Sequence, residues 1–301
     1  MFVAFDIEIT AGVHGPDWSI FRPYGISCAA TKVDDEPVKV WHGDGDKLTL
    51  PGITHPERMT PGQVAELASY LLSMTHCGHR VVTWNGLGFD FDVLAEESRN
   101  PKLAREICEL ALNHIDLGFL MRCQLGFMAK LVKVAQGLDV GNKTEGMHGG
   151  LAPVLWTGNW PDIQDEQDLA ELRAQVQALA LAQGAGFMPG NRMAQDLVCE
   201  YVGQDVILTM DVCQALIQRR SVNWITGKGT PSQRPWRPTM AKTGMGPRPL
   251  LARECLAKVQ EPNTSWMTNA PKPRESYYEW MKPHLGTYNL AMALTGQPLA
   301  D

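Results

Sequence analysis

The chain has 301 residues, of which 44% are hydrophobic and 20% are charged. This composition is typical of a protein with a full hydrophobic core and excludes disorder along the whole chain. No apolar run is long enough for a membrane-spanning helix, and an acidic sixth residue without a basic start argues against a signal peptide. Seven cysteines without a C-x-x-C pair favour a reduced, cytoplasmic location.

Charge is distributed unevenly along the chain. The net charge is −6, but residues 221–301 carry +5 whereas residues 1–220 carry −11. An acidic body indicates either that polyanions are repelled or that carboxylates are kept for metal ions.

Hydrophobic periodicity predicts an α/β protein with a mixed sheet. The predicted strands cover 2–9, 25–33, 37–42 and 80–84, and the predicted helices cover 63–74, 91–98, 101–113, 128–137, 165–183 and 191–219. A further strand is predicted over 115–120, where Asp116 is expected to be structural.

The segment 226–250 interrupts this pattern. It contains four glycines and five prolines, which favours an extended linker over a packed element. We therefore expect a body over 1–225 and a basic C-terminal extension over 226–301. This extension is expected either to pack on the body or to contact nucleic acid.

Two carboxylates interrupt the first predicted strand. Asp6 and Glu8 are two residues apart, so their side chains point to the same face of an otherwise apolar strand. Burying two like charges side by side is costly unless a cation pairs them. The alternatives are an edge strand with its acidic face in water and a site for Mg²⁺ or Mn²⁺, which prefer carboxylate oxygens.

A third carboxylate lies in the apolar stripe of the last long predicted helix. The stripe repeats at spacings of three and four residues, and Asp205 is its only charged member. Tyr201 lies one turn earlier on the same face, within reach of whatever Asp205 binds. The alternative is an Asp at the edge of the stripe beside an ordinary core tyrosine.

A glycine-rich turn follows the fourth predicted strand and contains two more acids, Asp90 and Asp92. Either acid alone could be a helix N-cap. Together, the strand, the turn and the helix supply carboxylates that could converge at one end of a sheet.

These three segments resemble the exonuclease motifs of the DEDD superfamily. The matching sequences are Phe5-Asp-Ile-Glu8, Asn85-x-x-x-Phe89-Asp90 and Tyr201-x-x-x-Asp205. The tyrosine four residues before the last Asp marks the DEDDy branch, which includes the proofreading domains of family B DNA polymerases and stand-alone relatives. The similarity covers roughly residues 1–225.

The resemblance implies a ribonuclease H-like fold, with a mixed five-stranded sheet flanked by helices. It also implies hydrolysis from a 3′ end by two Mg²⁺ or Mn²⁺ ions, releasing nucleoside 5′-monophosphates. By analogy, Asp6 would bridge both ions. Glu8 and Asp205 would serve the ion that binds the attacking water, and Asp90 would serve the ion at the leaving group.

The resemblance also implies roles for uncharged and basic residues. Tyr201 would orient the attacking water. Lys143 lies in a sequence similar to a Gly-Lys-Thr-like element of the stand-alone relatives, and we expect it to bind substrate together with Asn85 and Phe89.

Two features depart from the family pattern. Asp92 gives the middle motif a second candidate acid, and 158–190 is similar to an insertion that contains a helix the family does not explain.

The leading hypothesis is a 3′→5′ exonuclease acting on single-stranded DNA ends. The alternatives are a 3′→5′ exoribonuclease, which differs in how the site treats a 2′-hydroxyl, and a non-catalytic nucleic-acid-binding or polymerase-accessory module. Because no polymerase or helicase motif is present, a polymerase or repair activity would belong to a partner protein.

Overall fold

A mixed five-stranded sheet forms the centre of the fold. The computed structural model describes residues 1–15, 17–44, 52–125, 127–236, 240–243 and 246–258. The sheet contains, in spatial order, β3 (Lys39–His42), β2 (Ile26–Val33), β1 (Phe2–Ile9), β4 (Arg80–Thr83) and β5 (Ile115–Asp116). β2 is antiparallel to β1 and β3, whereas β4 is parallel to β1 and β5. The predicted mixed sheet is confirmed, and β1 lies at its centre rather than at an edge.

Helices pack around this sheet. They are α1 (Pro61–His76), α2 (Asp90–Glu97), α3 (Pro101–Asn113), α4 (Leu117–Leu125), α5 (Leu131–Leu138), α6 (Ala152–Thr157), α7 (Glu166–Gln183), α8 (Arg192–Arg219) and α9 (Ala252–Lys258). Six of those described (α1, α2, α3, α5, α7 and α8) lie close to where the sequence predicted them, whereas α4, α6 and α9 were not predicted. A short 3-10 helix spans Trp18–Phe21. Among the described residues, no helix combines the length and the apolar character that crossing a membrane requires.

The two faces of β1 bury side chains in two different cores. Phe5 and Ile7 lie in a core shared with α1, α2 and α3, whereas Ala4 lies in a second core shared with α6 and α8. Because side chains alternate along a strand, Asp6 and Glu8 share the face of Ala4. The alternation of β1 therefore points both carboxylates towards α8.

Capping side chains fix where the helices begin. Thr60 and Gln63 form a reciprocal capping box at α1, and Asp165 caps α7 through two backbone N–H groups. Asn191 accepts a hydrogen bond from Ala194 N at 3.0 Å at the start of α8. These caps satisfy N–H groups that a helix leaves without a partner.

The strand predicted over 115–120 is wrong beyond its second residue. β5 ends at Asp116, and α4 begins at Leu117. The Asp116 carboxylate accepts a hydrogen bond from Phe119 N at 2.9 Å. Such a contact stabilises the first turn of a helix, so the chain turns directly from strand into helix despite its apolar sequence.

The prediction of an unpacked linker after residue 225 is also wrong for the residues that the structure describes there. β6 (Ser221–Ile225) pairs with β7 (Pro231–Pro235), and β8 (Met240–Thr243) pairs with β9 (Gly246–Pro249). Trp236 follows β7 and is only 1% exposed. The prolines fit because β7 and β9 are strands of two-stranded ribbons, where many N–H groups need no partner.

The first of these ribbons packs directly on the body. A Cβ atom at Gly137 of α5 would lie 2.4 Å from the backbone of Trp224 in β6, so only glycine permits this approach. Within the described part of the basic extension, Arg248 is paired with Glu254 at 2.7 Å. The division of the chain at 225/226 stays a prediction, and residues 259–301 lie outside the described part.

Candidate active site

Three carboxylates from distant parts of the chain meet beside the central strand. Each of Asp6, Glu8 and Asp205 offers one oxygen, and these oxygens all lie within 4.8 Å of one another. Glu8 and Asp205 are buried, whereas Asp6 is half-buried. The contact arises because α8 packs on β1 and β2 with the Asp205 side of its apolar stripe facing the sheet.

A fourth carboxylate, Asp90, joins this group from the start of α2. Its Oδ1 atom accepts a hydrogen bond from Ile7 N at 3.2 Å, and its carboxyl group is hydrogen-bonded to that of Asp6. β4 pairs with β1 only as far as Ala4, so the loop that follows β4 can reach the backbone of β1. The short fourth strand therefore makes room for the fourth carboxylate. We refer to Asp6, Glu8, Asp90 and Asp205 as the carboxylate cluster.

A tight loop between β4 and α2 aims Asp90 at the cluster. Asn85 adopts a positive φ of 73°. A Cβ atom at Gly86 would lie 2.4 Å from Oγ1 of Thr83, which instead accepts a hydrogen bond from Gly86 N at 3.0 Å. The sequence Asn-Gly therefore matches a backbone that few other residue pairs would tolerate.

Asp116 clamps the same loop from the neighbouring strand. Its carboxylate oxygens accept hydrogen bonds from Asn85 N and Leu87 N, both at 2.9 Å, and the residue is fully buried. Its role is structural, as predicted, but sequence reasoning did not find the loop that it holds. The available signal was an acid in an apolar segment directly after a predicted helix.

Lys143 and Tyr201 contact Asp205. The Lys143 ammonium pairs with the Asp205 carboxylate and donates a hydrogen bond to the Tyr201 hydroxyl at 2.9 Å. The Tyr201 hydroxyl also interacts with Asp205, and its ring is only 2% exposed. Burial, followed by the nearby carboxylates, raises the pKa of Tyr201, so its hydroxyl keeps its proton.

Phe89 and Asn85 lie in the loop that leads to Asp90. Phe89 is half-buried, stacks on Tyr24 with ring centroids 6.1 Å apart and meets Trp18 edge-on at 6.2 Å. Trp18 is 41% exposed. These rings give the site an accessible aromatic surface on which a base could stack.

Asp92 lies outside the cluster although it is only two residues from Asp90. Its carboxylate forms an ion pair with Arg22, which also pairs with Glu96 at 2.8 Å. Burial raises the pKa of Asp92 to about 6, and Arg22 opposes the rise. The geometry therefore separates the two acids of the middle motif into different environments.

Burial raises the pKa values of the whole carboxylate cluster, and repulsion between the carboxylates adds to the rise at Asp6 and Glu8. The pKa of Asp6 lies well above its usual value, first because of burial and then because of the three neighbouring carboxylates. The pKa of Glu8 is also raised well above its usual value, for similar reasons. Burial raises the pKa of Asp90 to about 7 and that of Asp205 in the same direction, although Lys143 opposes the rise at Asp205. Without cations, the cluster therefore retains protons near neutral pH.

The donor set of the cluster fits hard divalent cations. Its protein ligands are all carboxylate oxygens, which suit Mg²⁺ and Mn²⁺. Oδ1 of Asp205 is buried and has no hydrogen-bond partner among the described residues. Such an atom is costly unless it is paired, and a cation held by Asp6, Glu8 and Asp205 would pair it.

Known protein families match part of this arrangement. A family model of the RNase H superfamily matches residues 40–174. No curated protein matches the chain. The matched part contains Asp90 and Lys143, and the mixed five-stranded sheet with flanking helices has the ribonuclease H-like form that the sequence predicted.

The ribonuclease H-like fold and the carboxylate cluster together indicate a metal-dependent nuclease, with nucleic acid as its substrate. The motifs at Asp6, Glu8, Tyr201 and Asp205 fall outside the matched residues. The DEDDy assignment therefore stays a prediction.

Sequence reasoning missed a second group of side chains that could bind a metal ion. His42, Asp44 and His55 each offer one ligand atom within 4.8 Å of the others. The signal in the sequence was His42-x-Asp44 at the end of a predicted strand, but His55 is separated from it by a further ten residues.

We expect the metal-free protein to lose stability as the pH rises. A carboxyl group whose pKa is raised by folding stabilises the protein below its unfolded pKa of about 4, and this contribution is lost as the pH rises through its folded value, which is about 7 for Asp90. Each proton held in excess by the folded state lowers the free energy of unfolding by about 1.4 kcal/mol per pH unit. Thermal melts in EDTA across this window measure the slope.

The matched variants are Asp90→Asn, in the cluster, and Asp162→Asn, which removes an exposed acid. Asp90→Asn should flatten the slope, Asp162→Asn should leave it unchanged, and Mn²⁺ should restore stability at the upper end of the window. An equally steep slope in Asp90→Asn would contradict the raised pKa of this group.

Proposed function

We propose that the chain is a metal-dependent 3′→5′ exonuclease that acts on single-stranded DNA ends and releases nucleoside 5′-monophosphates. The observation that supports this proposal most is the meeting of Asp6, Glu8, Asp90 and Asp205 beside one tyrosine, Tyr201. These residues occur in the order and spacing of the three DEDDy motifs.

The carboxylate cluster would hold two Mg²⁺ or Mn²⁺ ions. By analogy with the family, Asp6 would contact both ions, Glu8 and Asp205 would hold one, and Asp90 would hold the other. When bound, such ions lower the pKa of the attacking water and offset negative charge on the leaving 3′-oxygen. The chain itself supplies the positions of the carboxylates through β1, α2 and α8.

Tyr201 and Lys143 would act on the substrate side of Asp205. The Tyr201 hydroxyl keeps its proton, so it can donate a hydrogen bond and orient a water molecule beside Asp205. Lys143 places an ammonium group at the same carboxylate, and its side chain remains 23% exposed. This ammonium is therefore available to contact the phosphate of a bound strand.

The rings of Phe89 and Trp18 would receive the terminal base of the strand. Phe89 and Trp18 present ring surface next to Asp90, and stacking on such rings does not depend on the identity of the base. Asn85 would contribute an amide at the same end. This arrangement suits a single strand, whose terminal base can leave the stack, better than a paired end. Involvement of a polymerase or repair partner and a cytoplasmic location stay predictions.

The test of this function is an assay with 5′-labelled strands. Single-stranded DNA and RNA of the same sequence are incubated with Mg²⁺, Mn²⁺ or EDTA. We expect a ladder that shortens one nucleotide at a time from the 3′ end of DNA, only in the presence of a divalent cation.

A circular single-stranded DNA of similar length serves as the control, because it has no end. Cleavage of the circle at the rate of the linear strand would contradict an exonuclease, and undiminished cleavage in EDTA would contradict metal dependence. Faster shortening of RNA than of DNA would favour the exoribonuclease alternative.

The two acids of the middle motif should differ in their effect on activity. Asp90→Asn removes a charge that contacts Asp6, and we expect it to be nearly inactive. Asp92→Asn removes a partner of Arg22, and we expect it to retain most activity because this ion pair lies outside the cluster. Initial rates on single-stranded DNA at saturating Mg²⁺ make the comparison.

The two variants carry the same chemical change within one helical turn, so each is the control for the other. Melting temperatures show whether loss of the Arg22 ion pair affects folding. Full activity in Asp90→Asn together with inactivity in Asp92→Asn would mean that the middle motif is registered incorrectly.

The roles of Tyr201 and Asp205 should also separate. A lost positioning hydrogen bond costs about 1–3 kcal/mol, so we expect Tyr201→Phe to slow cleavage by roughly 5- to 150-fold with near-normal substrate affinity. Asp205→Asn removes a proposed metal ligand and should leave almost no activity. Single-turnover rates and filter binding distinguish the two effects.

The matched control is Tyr70→Phe, a half-buried tyrosine on α1 whose ring packs against that of Trp41 with centroids 5.1 Å apart, away from the cluster. It should cleave at the wild-type rate. If Tyr201→Phe also cleaves at that rate and melts normally, Tyr201 is only a core residue and the DEDDy assignment is wrong.

A further inference from the structure

A second cluster of ligand atoms lies at the outer end of the sheet. His42 ends β3, Asp44 follows two residues later, and His55 lies in the segment before α1. Nδ1 of His55 is 2.5 Å from Oδ2 of Asp44, and Nδ1 of His42 is 4.0 Å from the same oxygen. One carboxylate oxygen thus faces two imidazole nitrogens. We refer to these three residues as the His–Asp–His group.

A ring nitrogen of each histidine faces Asp44. Nδ1 of His42 accepts a hydrogen bond from Asp44 N at 3.3 Å, so this nitrogen carries a lone pair on the side of Asp44. The two rings lie side by side, with centroids 4.2 Å apart. Two imidazoles that both face one carboxylate oxygen form three of the four corners of a tetrahedral zinc site.

The position of His55 is fixed from several directions. The Gln195 side chain accepts a hydrogen bond from His55 N at 2.6 Å and donates one to His55 O at 3.3 Å. The ring stacks on Trp156 with centroids 5.4 Å apart and an interplanar angle of 6°, and the side chain is only 2% exposed. A ring held in this way loses little freedom on binding a ligand, which favours binding.

The second nitrogen of His55 also has the partner that a metal-binding histidine usually has. Nε2 lies 3.4 Å from Oδ1 of Asp196, which Arg192 holds through an ion pair at 2.7 Å. A carboxylate at this position favours a proton on Nε2, so that Nδ1 can bind a cation in place of its hydrogen bond with Asp44. Cys199, one turn further along α8, is hydrogen-bonded to the same imidazole.

We propose that His42, Asp44 and His55 bind one divalent transition-metal ion, for which Zn²⁺ is the natural candidate, at a site separate from the carboxylate cluster. Two imidazoles and one carboxylate suit Zn²⁺, whereas Mg²⁺ prefers oxygen ligands. The ion would replace the hydrogen bond between Asp44 and His55, and the proton of that bond would leave to solvent. The bound ion would connect the end of β3 with the segment before α1. Gln195 connects the same segment with α8 through its hydrogen bonds to the backbone of His55.

The register of the sheet separates the two sites. Glu8 pairs with Cys28, and Cys28 pairs with His42, so all three lie in one row on the same face. Strands are spaced by about 4.8 Å, which places the backbone of His42 about 10 Å from that of Glu8. The ligand atoms form two separate groups, so binding at the His–Asp–His group is measurable without nucleic acid and independently of nuclease activity.

The experiment measures binding of Zn²⁺ to chelator-treated full-length protein in excess Mg²⁺. Competition with a chromogenic zinc indicator gives the affinity, and the metal content after gel filtration gives the stoichiometry. We expect one Zn²⁺ per chain in the wild type. His42→Ala and Asp44→Asn should lose it, and Asp196→Asn should weaken binding by about 10- to 100-fold.

Two matched variants identify the site. Glu8→Gln alters the carboxylate cluster, and His148→Ala removes an exposed histidine; both should retain the Zn²⁺. Zn²⁺ should also raise the melting temperature of Glu8→Gln, but not that of Asp44→Asn. The proposal is overturned if the wild type binds no Zn²⁺, or if Glu8→Gln loses the ion while His42→Ala and Asp44→Asn keep it.

Discussion

Repulsion among four carboxyl groups that lie close together is the constraint around which this fold is organised. Asp6 and Glu8 project from the central strand into a region that is otherwise apolar, and α2 and α8 bring Asp90 and Asp205 against them. A single cation of the chain, Lys143, opposes this repulsion at Asp205 within the described residues. Bound protons reduce the remaining negative charge of the carboxylates, because burial raises the pKa of each group. The fold thus holds the four carboxyl groups in an arrangement that bound divalent cations would stabilise.

The length of each strand decides what can enter this region. β4 stops pairing with β1 at Ala4, and the N–H group of Ile7 is then satisfied by Asp90 instead of by a strand. Asp116, at the end of the still shorter β5, holds the intervening loop by its N–H groups. A longer β4 would fill the space that Asp90 occupies. At the end of the parallel strands, a strand, a loop and a helix N-terminus therefore meet.

Much of this arrangement could be predicted from the sequence because it violates local patterns. Asp6 and Glu8 in an apolar strand, and Asp205 in an apolar helical stripe, are visible as exceptions to hydrophobic periodicity. The short β5 was not predictable in this way, because a side-chain contact of Asp116 ends the strand within an apolar run. The burial of Trp236 was also hidden, since prolines in a two-stranded ribbon resemble prolines in a linker. The His–Asp–His group depends on Gln195, which is 140 residues from its partner His55, and no local pattern carries such a contact.

Helix α8 connects the carboxylate cluster with the His–Asp–His group. Near the start of α8, Gln195 and Asp196 contact His55. Asp205 lies nine residues after Asp196, which corresponds to about 13 Å along a helix, and belongs to the carboxylate cluster. The row from Glu8 to His42 spans a similar distance across the sheet. A shift of α8 along its axis would therefore misplace Asp205 and release His55 at the same time. The Asn191 cap and the packing of α8 on β1 and β2 set one position for both, so the geometry of the carboxylate cluster depends on contacts made two strands away.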